Sequence, residues 1–132
     1  THNVEGAQVI CLGDLVNKGP KNKEAVQIAR KAKALCIRGN HEQAVLLAAK
    51  TRATDKSYGM GKFEWTDQLD PDEVAYLESF PFTISLPRHN ALLVHAGLVP
   101  GVPLEKQTVG DMCNMRHVQK RNDGGFDAFE RP

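Results

Sequence analysis

Short apolar runs that alternate with helical patterns are the feature that most constrains how this chain can fold. Residues 7–12 are rich in apolar side chains and stop at Gly13, and residues 34–37 form a second run that stops at Arg38. A helical spacing of apolar residues follows each run, starting at Asn22 and at Glu42. Strands that alternate with helices favour parallel pairing through right-handed crossovers, so the sequence predicts an α/β fold.

The second half of the chain carries signals for further elements. Asp70 followed by Pro71 is typical of a helix start, because the carboxylate caps free N–H groups and proline suits the first helical position. Residues 82–86 and 91–96 are apolar runs on either side of a turn-forming tetrapeptide, which predicts a hairpin. A last short helix is expected over residues 108–116.

The composition is that of an ordinary globular domain. The chain has 132 residues, of which 41% are hydrophobic and 25% charged, with a net charge of +1. These values exclude a disordered chain, and they exclude attraction of the whole surface to nucleic acid or an anionic membrane. We expect one core over residues 1–118, a mobile loop over residues 51–63 and a loose polar tail over residues 119–132.

Cysteine usage and hydropathy bear on the compartment. The chain has 3 cysteines, so they cannot all pair within it, and Cys11 and Cys36 sit in apolar runs where a thiol behaves as a small hydrophobic group. No apolar stretch is long enough to span a membrane, and the N-terminal residues have no signal-peptide character. We therefore expect a reducing compartment and a cytoplasmic location, with an organelle as the alternative.

Three predicted strand ends carry side chains that can bind a metal ion. Asp14 follows the first apolar run, Asn40 and His41 follow the second, and His95 ends a later one. Taken singly, Asp14 fits a turn, Asn40 a helix cap and His95 a buried core histidine. Ligands of open α/β sheets lie beyond the carboxyl ends of the strands, so the joint pattern favours one shared site.

The segments around these residues resemble signatures of a known family. Residues 13–20 (GDLVNKGP), 37–42 (IRGNHE) and 93–98 (LVHAGL) are similar to successive motifs of the calcineurin-like metallophosphoesterases. Within the phosphoprotein-phosphatase superfamily, they most resemble the ApaH-like, symmetrical diadenosine tetraphosphatase-type branch. The resemblance implies a β-sandwich flanked by helices, incomplete in this chain.

The resemblance also implies a metal centre. In that family Asp14 would bridge two divalent ions, and Asn40 and His95 would bind the second of them. A pair of ions clamps a phosphate and lowers the pKa of a bound water, so that a hydroxide attacks the phosphorus in line. Mn²⁺ is the expected ion, with Fe, Zn, Co, Ni and Mg as alternatives.

Four other residues receive roles from the same resemblance. His41 would be the general acid that protonates the leaving oxygen, and Asn17 would orient it. Lys18 and Arg38 would neutralise the phosphate, although Arg38 could instead hold a loop through a carboxylate. Lys18 stands where protein phosphatases have Arg, and Asn17 where they have Asp, which favours a substrate other than a phosphoprotein.

Two motifs of the family are missing, and they define the alternatives. An Asp-x-His pair is expected on a strand before Ala7, where His2 and Asn3 do not supply it, and a further histidine is expected beyond Pro132. We expect the chain to be part of a longer enzyme, with a naturally degenerate form as the alternative.

The expected reaction is hydrolysis of a phosphoric ester or anhydride. A dinucleoside polyphosphate or a nucleotide-capped 5′ end, including an RNA 5′ end, is the first expectation for the substrate. The alternatives are a Ser/Thr phosphoprotein phosphatase and a non-catalytic scaffold. No membrane partner is expected, and the oligomeric state is left open.

Overall fold

A computed structural model describes residues 7–131. Helices and strands alternate in the first half of the chain, and strands dominate the end of it. Two single 3₁₀ turns, at Pro87–His89 and Leu104–Lys106, lie between the longer elements. The elements are β1 (Ile10–Cys11), α1 (Asn22–Lys31), β2 (Leu35–Cys36), α2 (Asn40–Thr54), a 3₁₀ helix (Gly61–Gln68), α3 (Pro71–Glu78), β3 (Thr83–Leu86), β4 (Ala91–Val94), α4 (Val109–Asn114), β5 (His117–Lys120) and β6 (Phe126–Phe129).

The first two strands confirm the predicted parallel pairing. β1 lies beside β2 with Ile10 opposite Leu35 and Cys11 opposite Cys36, and α1 forms the crossover between them. The strands are shorter than the apolar runs that predicted them, although the Leu35 N–H still donates to the Val9 carbonyl at 3.0 Å. The mixed α/β class is confirmed, and the described residues form three two-stranded sheets, of which this one is parallel.

The core lies where three helices meet the parallel strands. Val26 of α1, Val45 of α2 and Leu77 of α3 are each at most 1% exposed. Burial of such side chains stabilises the fold by about 1.5–3 kcal/mol each. The other buried members of the same cluster are Val16, Ala29, Ala34, Cys36 and Phe80.

The predicted helix start and hairpin are both confirmed. Pro71 is the first residue of α3, and the Asp70 N–H donates to the Glu73 carboxylate at 2.9 Å. β3 and β4 pair antiparallel, and Asn90 closes their connection with a left-handed φ of 47°. Asparagine tolerates this conformation better than most residues with a Cβ. The last predicted helix is α4, which is slightly shorter than residues 108–116.

Residues 51–63 are more ordered than the predicted loop. The first of them belong to the last turn of α2, which ends at Thr54, and the 3₁₀ helix begins at Gly61. Met60 is 4% exposed, so it anchors this segment against the protein. Phe63 also packs against the core. The polar, glycine-bearing composition concealed these apolar contacts.

Within the described residues, the segment that the sequence predicts to be a loose tail contains a hairpin. β5 and β6 form an antiparallel hairpin, and the expected boundary after residue 118 falls inside β5. The turn is favoured because Gly124 adopts a φ of +88° and the Gly125 N–H donates to Asp123 at 2.9 Å. An Asp-Gly pair between short strands is a hairpin signal, but the polar strands concealed it.

The helices described within residues 7–131 include none that is both long and apolar enough to cross a bilayer.

Candidate metal centre

Three sequence-predicted ligands converge at the ends of β1, β2 and β4. The His95 Nε2 atom lies 3.1 Å from the Asn40 Oδ1 atom and 3.4 Å from the Asp14 Oδ1 atom. The side chain of His95 is 13% exposed and that of Asp14 is 18% exposed. The structure therefore brings together a carboxylate, an amide and an imidazole from three separate segments of the chain.

The hydrogen bonding of His95 indicates that these atoms suit a cation. Its Nδ1 atom lies 2.6 Å from the Leu12 carbonyl oxygen, which can only accept, so Nδ1 carries the proton. In the neutral ring the lone pair is then on Nε2, facing the oxygens of Asp14 and Asn40. Three electron pairs that converge in this way repel one another unless a positive charge lies among them, either a metal ion or a proton on Nε2. A histidine that ligates a metal typically donates its other N–H to a carbonyl in this manner.

Two glycines allow the strand ends to approach each other. Gly13 has a φ of +91°, and a Cβ placed on it would collide with the His95 ring and with Gly39 Cα. A Cβ on Gly39 would lie 2.7 Å from the Asp14 Oδ1 atom. Any side chain at either position would push the ligand-bearing segments apart, so both glycines belong to the construction of the site.

Glu42 anchors the loop that carries Asp14, and the sequence analysis assigned it no role there. This carboxylate is fully buried and accepts the N–H groups of Asp14 at 2.9 Å, Val16 at 3.2 Å and Gly39 at 2.9 Å. A buried carboxylate needs such donors to offset its lost hydration. Its position as the third residue of α2, where glutamate commonly bonds back to the residue before the helix, was the available signal.

The Asp14 carboxylate is kept ionised despite its partial burial. Desolvation alone would raise its pKa, but the ammonium of Lys18 and the nearby His95 and His41 lower the pKa below the usual 3.8. Its Oδ1 atom accepts the His41 N–H at 3.3 Å, at the start of α2. The positive end of a helix favours an anion there. Asp14 also has a left-handed φ of 55°, a strain that often marks functional positions.

His41 lies on the rim of the cluster. Its Nε2 atom is 3.9 Å from the Asp14 Oδ2 atom, and its side chain is 20% exposed. Its Nδ1 atom is buried and has no hydrogen-bond partner among the residues described. The Nε2 atom thus faces the Asp14 carboxylate, and the Nδ1 atom makes no hydrogen bond to the described residues.

Lys18 contacts the cluster, whereas Asn17 contacts the start of α1. The Lys18 ammonium is 3.2 Å from the Asp14 Oδ2 atom, and its side chain is 67% exposed, so it forms the solvent edge of the cluster. The Asn17 N–H donates to the Asn22 side chain at 2.6 Å, which holds the loop in front of α1. Within residues 7–131, no hydrogen bond joins Asn17 to His41.

The described contacts of the Arg38 side chain are with α2, α3 and the segment after α3. Its guanidinium donates to the Glu78 carbonyl and to Gln43 at 3.4 Å, and it lies 5.1 Å from the centre of the Phe82 ring. These contacts fasten the loop after α3, as in the alternative that the sequence left open, although through a carbonyl rather than a carboxylate. A role for Arg38 on phosphate stays a prediction.

The described residues supply only part of a metal centre. Between Ala7 and Arg131, no group of three His, Cys, Asp or Glu side chains is arranged to hold a metal. The cluster has two such ligands, Asp14 and His95, and its third is the amide of Asn40. The expected Asp-x-His pair upstream of Ala7 lies outside the described residues.

Comparisons with known proteins show which family and which structures this chain resembles. The family model for calcineurin-like phosphoesterases matches residues 3–131. An uncharacterized protein of Methanocaldococcus jannaschii, MJ0912, is 32% identical over 78 residues, which cover 58% of this chain and 32% of that protein. A crystal structure described as that of a candidate diadenosine tetraphosphatase aligns with a TM-score of 0.80 and 27% identity, over 94% of this chain and 51% of that one. The chain thus spans about a third of the one relative and half of the other.

Proposed function

Because this chain belongs to the calcineurin-like phosphoesterase family, we propose that its Asp14–Asn40–His95 cluster is part of the active site of a metal-dependent hydrolase of phosphoric esters or anhydrides. The observation that carries the proposal is the convergence of the three ligand atoms, with His95 Nε2 within 3.4 Å of both oxygens. Members of the family use divalent metal ions.

In this proposal some residues of the cluster bind the metal ion, and another transfers a proton. Asp14, Asn40 and His95 would hold a divalent ion, which supplies positive charge to the phosphate and acidifies a water molecule. Glu42 keeps Asp14 in place through its backbone N–H. His41, on the rim of the cluster, is the group that can donate a proton to a leaving oxygen from Nε2.

Charge at the rim supports a phosphate as the ligand. The exposed ammonium of Lys18 lies beside the Asp14 carboxylate and can turn to an anion that enters from solvent. Such a cation offsets the charge that a phosphoryl group gains during transfer. The first divalent ion of the expected pair, which would share Asp14, would take its remaining ligands from outside the described residues. Mn²⁺ remains the expected metal.

The proposed substrate is a dinucleoside polyphosphate or a nucleotide-capped 5′ end. Similarity to the crystal structure described as a candidate diadenosine tetraphosphatase supports this class. Lys18 and Asn17, in place of the Arg and Asp of protein phosphatases, point the same way. Symmetrical cleavage of diadenosine tetraphosphate is the expected reaction, and release of phosphate from phosphopeptides alone would contradict it.

The first test counts metal on the protein. The chain is equilibrated with Mn²⁺, free ion is removed, and bound metal is counted by native mass spectrometry. We expect at least one ion per chain, and we expect His95→Ala to lose it because the imidazole ligand is gone.

His89→Ala is the matched control. His89 is an exposed histidine in the turn between β3 and β4, at the opposite end of β4 from His95. It should keep the metal content of the parent protein. A metal content that is zero in all three proteins, or equal in both variants, would refute the proposed centre.

A further inference from the structure

The hairpin β5–β6 carries two exposed aromatic rings stacked on each other. The rings of His117 and Phe129 are 5.0 Å apart between centroids and inclined by only 10°. Phe129 is 39% exposed, and His117 is exposed as well. The pair is directly opposite across the two strands, so both rings stand on one face of the hairpin. An apolar platform of this kind is open to a flat ligand.

Polar groups continue the same face. Gln119 and Asp127 form the cross-strand pair two residues further along, and they therefore project to the same side as His117 and Phe129. The Asp127 Oδ1 atom accepts from Arg121 at 2.8 Å, which fixes the carboxylate in place. The face combines stacked rings with an amide and a carboxylate, groups that can pair with the polar edge of a nucleobase.

The hairpin begins beside the metal-ligand segment. The Ala96 N–H donates to the Met112 carbonyl at 2.9 Å, and the Met115 Cε atom lies 2.7 Å from where a Cβ of Gly97 would be. Residues 96 and 97 follow His95 directly. His117 is two residues after Met115, a separation of at most about 7 Å along the chain. Arg116, between them, is exposed and bonds its N–H to the Phe129 carbonyl at 2.8 Å.

We propose that the face formed by His117, Phe129, Gln119 and Asp127 binds the nucleobase of a nucleotide whose phosphates lie at the Asp14–Asn40–His95 cluster. This inference rests on the proposed function and deepens it, since it assigns the nucleoside half of the substrate to a surface. Stacking on aromatic rings tolerates any base, and the polar pair then selects among them. A purine, the larger base, offers the larger surface for stacking on the outer face of the ring pair.

The simpler role of the ring pair is to stabilise the hairpin. Aromatic cross-strand pairs do so, and an isolated two-stranded hairpin is marginally stable. A purely stabilising role predicts that substitution of Phe129 changes the affinity for every ligand equally, or for no ligand. Nucleobase binding predicts an effect on ligands that carry a base only.

The experiment compares adenosine 5′-monophosphate with ribose 5-phosphate, which has the same phosphate and sugar but no base. Dissociation constants are measured by calorimetry in Mn²⁺ for the parent protein, Phe129→Leu and Phe129→Tyr. We expect the parent to prefer the nucleotide about tenfold, Phe129→Leu to lose that preference, and Phe129→Tyr to keep it. Binding of ribose 5-phosphate should be equal in all three.

Val118→Ala is the control on the opposite face of the same strand, since Val118 pairs with Ala128 and is 38% exposed. It should leave the preference intact. Proton NMR, recorded with diamagnetic Mg²⁺ in place of Mn²⁺, gives a readout that needs no substitution, because a stacked base shifts the His117 ring signals and ribose 5-phosphate does not. An unchanged preference in Phe129→Leu, or unmoved His117 signals, would overturn the inference. If ribose 5-phosphate binds equally well to His95→Ala, the proposed function fails instead.

Discussion

Glu42 shows how one buried side chain can position a site without touching a ligand. It is fully buried and receives N–H groups from both ligand-bearing loops, those of Asp14 and Gly39. A negative charge in this position orients the backbone at the ends of β1 and β2 together. The backbone of Asp14 can therefore adopt a strained, left-handed conformation that the chain alone would avoid.

This arrangement predicts the effect of Glu42→Gln. An amide retains one acceptor oxygen and places an NH₂ group against a backbone N–H, so at least one buried donor loses its partner. We expect a loss of about 1–3 kcal/mol in the free energy of unfolding, measured in urea. Mn²⁺ affinity should fall about 10–100-fold, as for residues that support metal ligands indirectly.

Glu24→Gln is the comparison, because Glu24 is an exposed glutamate in the first turn of α1. It should change stability by less than about 0.5 kcal/mol. Equal effects of the two substitutions would mean that Glu42 does not support the site.

Among the elements, α3 shows most directly how a local sequence pattern becomes a tertiary contact. Glu73 bonds back to the Asp70 N–H, as a glutamate at the third helical position does, and it is also 2% exposed. Gln27 of α1 donates to it at 2.8 Å, and Lys23 lies 3.6 Å away. The helix cap therefore also joins α3 to α1.

These contacts predict a dependence of stability on pH. The Asp70 N–H, with help from Gln27 and Lys23, holds the pKa of Glu73 below its usual 4.5. A carboxyl with a lowered pKa stabilises the folded state above the pKa of the unfolded chain, and this contribution disappears as pH falls through the lowered value. We expect the melting temperature to drop between about pH 5 and about pH 3, the range that spans ordinary carboxyl titration.

Glu73→Gln isolates the contribution of this carboxyl. The variant should be less stable at neutral pH and should lose less stability on acidification than the parent. Parallel curves of melting temperature against pH for the two proteins would show that Glu73 contributes nothing to the dependence.

On the scale of the whole molecule, several apolar side chains beside β1 and α1 are exposed among the described residues. Val9, Ile28 and Leu35 are 48%, 68% and 44% exposed. Val9 and Ile28 line a shallow depression of about 320 Å³ with Cys11, Leu15 and neighbouring alanines. Exposed apolar side chains that lie together in this way favour association.

We therefore expect the chain to self-associate at high concentration. Ile28→Gln should shift the sedimentation coefficient toward that of a monomer, because it removes a large and exposed apolar side chain from the depression. Leu47→Gln is the control, since Leu47 is 63% exposed on α2 and lies outside the depression. The same shift in both variants, or in neither, would contradict a role for this surface.

The sequence by itself determined the order of the α-helices and strands from β1 to α4, and it placed the residues of the cluster at strand ends. Apolar runs, helical spacing and the Asp-Pro start report local preferences that tertiary contacts left intact, and residues with ligand chemistry stand at strand ends by virtue of that order. Asp14, Asn40 and His95 could therefore be identified from the amino-acid sequence alone. The role of Arg38 could not, because the direction of a long side chain depends on its neighbours, here Glu78 and Phe82.

Only the tertiary structure decided the rest. The burial of Glu42, the pairing of β5 with β6 and the stacking of His117 on Phe129 join groups that are far apart along the chain or hidden in polar segments. Local propensities carry no information on such contacts, since their free energy arises when separate segments exclude water together. The residues of the cluster could be read from the chain, whereas the groups that hold them in place had to be seen in the fold.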